Sequence, residues 1–267
     1  MLKHWFEQLF FRMSNAITAA IPRAKPSASM LAKCRVISHR GERDDKTVFE
    51  NTFAAFDSLV ETGVWAIELD IRWTQDLQPV VFHDVDCQRL FNDQTRIDGI
   101  TLAELQAKYP MIPSLSELLA RYQGKLHFMI ELKQEDYRDV TLQMQRLKDV
   151  LVPLTPVKEY HLISIFPEQM FSPIDFVPSQ TFLTIMRVKS KSASRFALEK
   201  QHGGFLGHYV FVRNSLVKKH LNAGQQVGVG FVDSKNSLLR ELNRGVEWIY
   251  TNHALNMQEI LEQLRGD

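Results

Sequence analysis

Short apolar segments alternate with helix-like segments along this chain from about residue 34 onward. Several apolar segments are almost continuously hydrophobic, which is typical of strands buried on both faces of a sheet. Alternation of this kind favours a parallel sheet with helical connections. The predicted strands are Cys34–Ser38, Trp65–Ile71, Pro79–His83, Leu126–Leu132, Tyr160–Ile165, Thr181–Met186, His208–Val212, Val227–Phe231 and Glu247–Thr251. The predicted helices include Thr52–Thr62, Ser114–Tyr122, Tyr137–Val150, Ser192–Gln201, Leu216–Ala223 and Lys235–Arg244.

Nine predicted strands are one more than a closed barrel of eight strands and eight helices needs. Only residues 72 to 78 separate the second strand from the third, whereas a parallel crossover needs about a dozen residues or more. These two strands are therefore predicted to form an antiparallel hairpin that turns at about Asp76-Leu77. A turn centred there places Asp70 opposite His83. The other eight strands are predicted to close an α/β (β/α)₈ TIM barrel, with the hairpin as an excursion after strand 2.

The bulk composition narrows the class of protein. A length of 267 residues suits one barrel domain. The net charge is only +1, so the chain has no excess of basic residues such as nucleic-acid-binding proteins carry. We therefore expect no nucleic-acid partner. Cys34 and Cys87 match neither a disulfide framework nor a zinc motif. Two free thiols in a reducing, cytoplasmic compartment are the main interpretation, and a single bridge is the alternative.

The amino-terminal segment carries an amphipathic pattern. Glu7 and Arg12 interrupt the apolar stretch that a signal peptide would need, and Pro22 is expected to end the helix. Residues 22–33 are predicted to be an extended linker, so that 1–33 form an appendage and 34–267 the barrel domain. The apolar stripe contains Leu2, Trp5, Phe6, Leu9, Phe10, Met13, Ala16, Ile17 and Ile21.

This helix has two open roles, which are attachment to a membrane surface and packing on the barrel or on a second subunit. A peripheral membrane location and self-association are therefore both retained. The polar face carries little Lys or Arg, which favours packing over membrane attachment.

Chemically active side chains cluster at the carboxyl ends of the predicted strands, where the active sites of such barrels lie. Glu68 and Asp70 are two residues apart on one strand, so their side chains point to the same face, and Glu131 and Lys133 repeat this spacing on the next barrel strand. The segments that end the strands are His39-Arg40-Gly41, Glu68-Leu69-Asp70, His83-Asp84 and Glu131-Leu132-Lys133.

This set of residues predicts a site for phosphate chemistry. Carboxylates held close together repel, and one takes up a proton unless a cation lies between them. An oxygen-only site suits one divalent cation, Mg²⁺ or Ca²⁺, rather than zinc. Arg40 and Lys133 can add positive charge near a phosphate. His39 and His83 can donate and accept protons near neutral pH.

These motifs, in this order, resemble those of the glycerophosphodiester phosphodiesterase family. The members of this family are phospholipase C-like phosphodiesterase barrels. The resemblance covers about residues 34 to 260 and is most specific in the first half. The matching segments are Val36-Ile37-Ser38-His39-Arg40-Gly41, Glu50-Asn51-Thr52, Glu68-Leu69-Asp70, Thr74-Gln75-Asp76, Pro79-Val80-Val81-Phe82-His83-Asp84, Ile112-Pro113-Ser114-Leu115, Glu131-Leu132-Lys133 and Gly245-Val246-Glu247-Trp248-Ile249-Tyr250-Thr251.

The resemblance implies a role for each rim residue. By it, His39 and His83 carry the acid/base chemistry, and Arg40 and Lys133 contact phosphate. Glu50 would support the site from the first loop. The family's reaction releases an alcohol and glycerol 3-phosphate, with attack by the glycerol 2-hydroxyl and a cyclic phosphate that water opens. The divalent metal ligands that it implies are Glu68, Asp70 and Glu131.

The chain departs from the family pattern at three places. The hairpin turn reads Asp76-Leu77 instead of Asp-Gly, the seventh barrel strand ends in Phe231-Val232 instead of Trp-Thr, and Thr251-Asn252 replaces Thr-Asp. The last two departures affect the substrate side of the rim, so they bear on head-group preference. A lysophospholipase D-like enzyme, a lyase that stops at a cyclic phosphate, and a barrel that binds phosphodiesters without turnover are the alternatives.

Overall fold

The computed structural model describes residue 11, residues 13–186 and residues 190–266. Its strands are β1 (Arg35–His39), β2 (Ala66–Trp73), β3 (Pro79–Val81), β4 (His127–Leu132), β5 (Tyr160–Ser164), β6 (Phe182–Met186), β7 (Gly204–His208), β8 (Gln226–Gly230) and β9 (Trp248–Thr251). Its helices are α1 (Ala28–Lys33), α2 (Phe53–Asp57), α3 (Gln88–Phe91), α4 (Leu102–Lys108), α5 (Leu115–Tyr122), α6 (Val140–Leu151), α7 (Pro167–Phe171), α8 (Ser190–Glu199), α9 (Asn214–Asn222), α10 (Lys235–Leu242) and α11 (Ala254–Gly266).

Eight parallel strands close into a barrel. β1 pairs with both β2 and β9, and the remaining pairs follow the ring through β8, β7, β6, β5 and β4. β3 lies outside the ring and pairs with β2 in antiparallel orientation. The predicted (β/α)₈ TIM barrel with a hairpin excursion after its second strand is therefore confirmed.

The predicted register of the hairpin is wrong by one residue. Ile71 pairs with Val81 and Trp73 with Pro79. Asp70 therefore lies opposite Phe82 and not opposite His83, and the N–H of Phe82 donates to the carbonyl oxygen of Asp70. Thr74 N–H donates to the carbonyl oxygen of Gln78 beyond the strand ends, so the turn between these two residues contains three residues rather than two, and its last residue, Leu77, has a φ of 59°. A three-residue loop with a left-handed last residue is a common alternative to the two-residue turn.

The predicted strand His208–Val212 is also wrong, because the strand occupies Gly204–His208 instead. The glycines in this segment lowered its resemblance to a strand. A Cβ on Gly204 would lie 2.7 Å from the carbonyl oxygen of Gln226 on β8. The close approach of the two backbones is therefore the reason for glycine at this position.

Side chains alternate between the barrel interior and the helical layer. Ile37, Ala66, Met129 and Trp248 belong to a buried interior cluster, while intervening residues such as Leu69 pack against the helices. The period of two continues upward along each strand. It therefore carries the polar side chains at the strand ends into the mouth of the barrel.

Helix boundaries follow local capping. Ser114 and Glu117 form a reciprocal capping box at the start of α5, and Thr52 caps α2. α2 ends at Asp57, well before the predicted Thr62. The segment predicted as an extended linker contains α1, which Ser27 caps by accepting a hydrogen bond from Met30 N–H.

The amino-terminal helix is described at residues 11 and 13–20. Its orientation is opposite to the predicted packing of an apolar face on the barrel. Asn15 contacts the barrel, whereas Met13 and Ile17 are 57% and 59% exposed. The predicted stripe residues before Phe11 lie outside the described residues. Among the described residues, no helix is long and apolar enough to cross a membrane.

Candidate active site

Three carboxylates meet at the mouth of the barrel. Glu68 and Asp70 project inward from β2, and Glu131 projects inward from β4, where it pairs with Asp70 in register. Each residue offers an oxygen, and these oxygens lie within 4.8 Å of one another. All three residues are buried. The predicted convergence of the three acids is therefore present in the structure.

Strong electrostatic coupling follows from this arrangement. Burial and then the charges of Asp70 and Glu131 raise the pKa of Glu68 well above its usual value. Burial also acts to raise the pKa of Asp70, but the cations Arg40 and Lys133 outweigh burial and hold that pKa far below its usual value. The cluster thus includes one firmly ionised carboxylate beside one that favours its proton.

The cluster fits a hard divalent cation. Glu68 Oε2 and Asp70 Oδ1 are buried and have no hydrogen-bond partner among the described residues, although Asp70 Oδ1 forms an ion pair with Lys133. A buried carboxylate oxygen without a donor is costly. A divalent cation ligated by Glu68, Asp70 and Glu131 would satisfy these oxygens, and an all-oxygen set matches Mg²⁺ or Ca²⁺.

Both predicted phosphate-contacting cations lie beside the acids. Lys133 Nζ is 2.9 Å from Glu131 Oε1 and 3.3 Å from Asp70 Oδ1. Arg40 Nε is 3.0 Å from Asp70 Oδ2, and Arg40 Nη1 is 3.1 Å from Glu50 Oε1. The site therefore holds both cations against its carboxylates.

His39 is held in a defined orientation at the end of β1. Its Nδ1 lies 2.8 Å from Asn252 Oδ1, and Arg43 Nη2 donates to the same oxygen at 3.1 Å. Since that oxygen only accepts, Nδ1 carries the proton of the neutral ring. Nε2 faces Glu68 Oε2 at 3.8 Å. Burial and then the charge of Arg40 lower the pKa of His39 well below its usual value.

His83 has a different environment beyond the end of β3. Its Nδ1 lies 2.6 Å from Asp84 Oδ1, and Arg89 Nε donates to Asp84 Oδ2 at 2.6 Å. Burial acts to raise the pKa of Asp84, but the hydrogen bonds from His83 and Arg89 lower it to about 2. His39 thus has a neutral amide partner, whereas His83 has an ionised carboxylate partner.

Glu50 supports the site through arginines. It lies 3.1 Å from Arg40 and 3.5 Å from Arg43, and it also accepts hydrogen bonds from Arg89. It is not a member of the three-carboxylate cluster. Burial acts to raise the pKa of Glu50, but these arginines lower it below its usual value. Glu50 therefore links the environments of the two histidines.

Several residues that sequence reasoning did not select also belong to the site. Asn51 donates to Asp70 Oδ2 at 2.9 Å, and Tyr250 presents a buried hydroxyl without a hydrogen-bond partner among the described residues. After burial, the charges of Glu68 and Glu131 raise the pKa of Tyr250. Side-chain alternation on the last strand could have identified Tyr250. Asn252 lies at a position where the sequence departs from the family pattern, whereas no sequence signal identifies the loop residues Arg43 and Arg89.

An aromatic side chain forms one wall of the mouth. The ring centroid of Phe231 lies 4.6 Å from that of His39 in an edge-on arrangement, and 6.1 Å from that of His208. Phe231 occupies one of the positions at which the sequence departs from the family pattern. The departure therefore lies directly beside a candidate catalytic histidine.

The fold and the site together define a (β/α)₈ barrel with two histidines beside a buried carboxylate cluster at its mouth. Within that class, the chain matches the model of the glycerophosphoryl diester phosphodiesterase family over residues 39–255. It belongs to this family, as its motifs predicted.

Individual relatives agree with this membership. A glycerophosphodiester phosphodiesterase of Bacillus altitudinis is 24% identical over 249 residues, which are 86% of this chain and 99% of the relative. Other matches are shorter and cover 44% of a Bacillus subtilis relative (38% identical over 109 residues) and 30% of a Caldanaerobacter subterraneus relative (43% over 74). This chain thus spans less than half of the length of these two proteins.

Solved structures show the same fold. A Thermotoga maritima glycerophosphodiester phosphodiesterase is 18% identical with a TM-score of 0.68, and it covers 85% of this chain and 98% of its own. An Oleispira antarctica phosphodiesterase, solved with the product sn-glycerol-3-phosphate, is 19% identical with a TM-score of 0.68 and covers 85% and 96%. At these identities the likeness establishes the barrel alone.

Proposed function

We propose that this protein is an enzyme that hydrolyses glycerophosphodiesters to an alcohol and glycerol 3-phosphate, with one divalent cation, Mg²⁺ or Ca²⁺. The observation that carries the proposal is the buried cluster of Glu68, Asp70 and Glu131 with His39 beside it. The product bound to the Oleispira antarctica relative supports the choice of substrate.

His39 and His83 are the proposed acid/base pair. The free Nε2 of a neutral His39 can accept the proton of an attacking hydroxyl. The ionised partner of His83, Asp84, suits an imidazolium that gives its proton to the leaving alcohol. Arg40 and Lys133 would hold the phosphoryl oxygens and offset the charge that develops on them. A bound divalent cation would add Lewis-acid polarisation of a phosphoryl oxygen.

The domain division and the location are also proposals. Residues 1–33 would be an appendage and residues 34–267 the catalytic barrel, because the family match begins at residue 39. A cytoplasmic location is supported by Cys34 and Cys87, which are free and buried. The small-molecule diester is the proposed partner, while the amino-terminal helix would contact a membrane surface or another copy of the chain.

A lysophospholipase D-like activity is the second candidate function. The exposed apolar residues Met13 and Ile17 favour it, because they suit an enzyme that works on lipid substrates. A lysophospholipase D of Rattus norvegicus is 38% identical over 71 residues, which are 22% of that protein. A lyase is the third candidate, and accumulation of a cyclic phosphate as the final product would identify it.

The test is a panel of glycerophosphodiesters assayed with Mg²⁺, with Ca²⁺ and with a chelator. We expect glycerol 3-phosphate release that the chelator abolishes and a metal restores. His39→Ala and His83→Ala should each lower turnover by about 10²–10⁴-fold. A nitrophenyl diester, which needs little help from an acid, should rescue His83→Ala and not His39→Ala. Full turnover after removal of metal, or normal turnover by both variants, would contradict the proposal.

A further inference from the structure

The amino-terminal helix exposes an apolar face. The exposed residues between 13 and 21 recur with the three- and four-residue spacing of one helical face. Every one of them is apolar, and the three large side chains, Met13, Ile17 and Ile21, are 57%, 59% and 42% exposed. The exposed residues are Met13, Ala16, Ile17, Ala20 and Ile21. An amphipathic helix that packs on a protein core presents the opposite face to solvent.

Specific polar contacts hold the helix in this orientation. Asn15 Nδ2 donates to Asp233 Oδ2 at 2.8 Å, and the hydroxyl of Tyr209 donates to Asn15 Oδ1. Asn236 Nδ2 donates to the carbonyl oxygen of Ala19 at 2.7 Å. Rotating the helix to bury its apolar face would break all of these hydrogen bonds. The helix therefore contacts the barrel through its polar face.

The docked helix lies at the active-site end of the barrel. Asp233 and Tyr209 belong to the loops that follow β8 and β7, and these loops leave the carboxyl ends of the strands. The ring of Phe11 stacks on His208 at 4.1 Å. His208 in turn neighbours Phe231, which contacts His39. A chain of aromatic contacts thus connects the helix to the catalytic mouth.

The described segment that directly follows this face is positively charged. In the sequence of residues 1 to 25, one residue, Glu7, is acidic, and the basic residues are Lys3, Arg12, Arg23 and Lys25. Arg23 and Lys25 are exposed directly after the helix. Cations that border an apolar face match an anionic phospholipid surface, where each adds attraction to the lipid head groups.

A second copy of the chain fits this face less well. Residues 13–21 rise by only about 12 Å, and a helix surface is roughly 10 Å wide. A stable dimer buries about 800 Å² on each partner, which is several times the area of the described face. A lipid surface has no such minimum, because it binds through insertion of a few side chains together with charge.

We propose that the face formed by Met13, Ile17 and Ile21 inserts into an anionic phospholipid surface and turns the mouth of the barrel toward it. The proposal rests on the phosphodiesterase function proposed above and narrows the substrate class. The substrates would be glycerophosphodiesters that carry an acyl chain, such as lysophospholipids, taken directly from the lipid surface.

The experiment compares the full-length chain with the triple variant Met13→Gln, Ile17→Gln, Ile21→Gln. A matched control, Val152→Gln, Val157→Gln, Leu221→Gln, removes three exposed apolar side chains from the segments before β5 and β8, at the other end of the barrel. Each protein is sedimented with vesicles of phosphatidylglycerol or of phosphatidylcholine. Each is then assayed on lysophosphatidylglycerol in those vesicles and on soluble glycerophosphoglycerol.

We expect the wild type and the control to bind the anionic vesicles, and the triple variant to bind at least tenfold more weakly. Turnover of the vesicle substrate should fall by a similar factor, with turnover of the soluble diester unchanged. Equal sedimentation of the wild type and the triple variant would overturn the inference. So would a wild-type dimer, seen by light scattering, that the triple substitution abolishes without changing vesicle binding. If instead the wild type fails on both substrates but still binds vesicles, the proposed function fails and the docking surface remains.

Discussion

A buried pair of histidines at the amino-terminal end of the barrel should make the fold sensitive to acid. His127 begins β4, and its Nε2 lies 2.8 Å from Nδ1 of His161 on β5. Nδ1 of His127 lies 3.1 Å from the carbonyl oxygen of Lys158, so one proton serves each hydrogen bond when both rings are neutral. Burial lowers the pKa of His127 to about 4 and that of His161 to about 3.

The sign of the pH effect follows from proton binding. Between pH 6.5 and the lowered values, the unfolded chain holds protons on both histidines and the native state does not. The free energy of unfolding therefore falls as the pH drops below 6.5. With a pKa of about 6.5 in the unfolded chain, each histidine should lower the free energy of unfolding by about 2 kcal/mol between pH 7 and pH 5. The pair should then lower it by about 4 kcal/mol.

Urea titrations at pH 7 and pH 5 measure this difference. The variant His127→Gln, His161→Gln keeps polar side chains but cannot titrate. Whatever its stability at pH 7, its drop in unfolding free energy between the two pH values should be about 4 kcal/mol smaller than that of the wild type. An equal drop in the double variant and in the wild type would refute the reasoning.

Three further predictions concern the site and the barrel wall. Asp70→Asn removes a proposed charged ligand, so the Mg²⁺ concentration for half-maximal activity should rise at least about tenfold; an unchanged concentration would exclude Asp70 as a ligand. Asn252→Asp places a carboxylate against His39 Nδ1–H, so the acid limb of the kcat/KM profile should move up by about one pH unit. A limb that does not move would show that it does not report the protonation of His39. Gly204→Ala puts a Cβ 2.7 Å from a backbone oxygen and should cost about 1–3 kcal/mol in urea unfolding; Gly99→Ala, whose Cβ meets its nearest atom at 3.8 Å, is the matched control.

The barrel could be predicted because its signals are local. The spacing between β2 and β3 is too short for a parallel crossover, which identified the hairpin and settled the strand count. The register of that hairpin was not predictable from spacing, because Leu77 adopts a left-handed φ of 59° that most residues avoid. Leu77 is only 9% exposed, so burial of its side chain offsets the backbone strain.

The failure at β7 has a long-range cause. Gly204 weakens any local strand preference, yet it is needed because β8 approaches closely on one side. His208 ends the strand instead of starting it, so the apolar residues that follow belong to the rim. Local propensity cannot detect a contact between backbones that lie more than twenty residues apart.

The residues of the site also divide into those with a local sequence signal and those placed by long-range contacts. Glu68, Asp70 and Glu131 lie at strand ends, where the two-residue period gives their direction, and the structure brings them together as expected. Arg43 and Asn252 reach His39 from two loops that are far apart in the chain. Such loop contacts depend on how the barrel closes, and the sequence contains no periodic signal for them.

The charges at the mouth bear on the proposed binding of a divalent cation and an anionic substrate. When ionised, Glu68, Asp70 and Glu131 carry three negative charges, and Arg40 and Lys133, which contact them, carry two positive charges. Without a further cation, this arrangement repels a phosphodiester, or it forces a carboxylate to keep its proton, as the raised pKa of Glu68 indicates. A bound divalent cation would reverse the sign of the sum, and one phosphodiester charge would then neutralise it. On the proposed function, the same acids that would bind the metal would therefore make substrate binding depend on it.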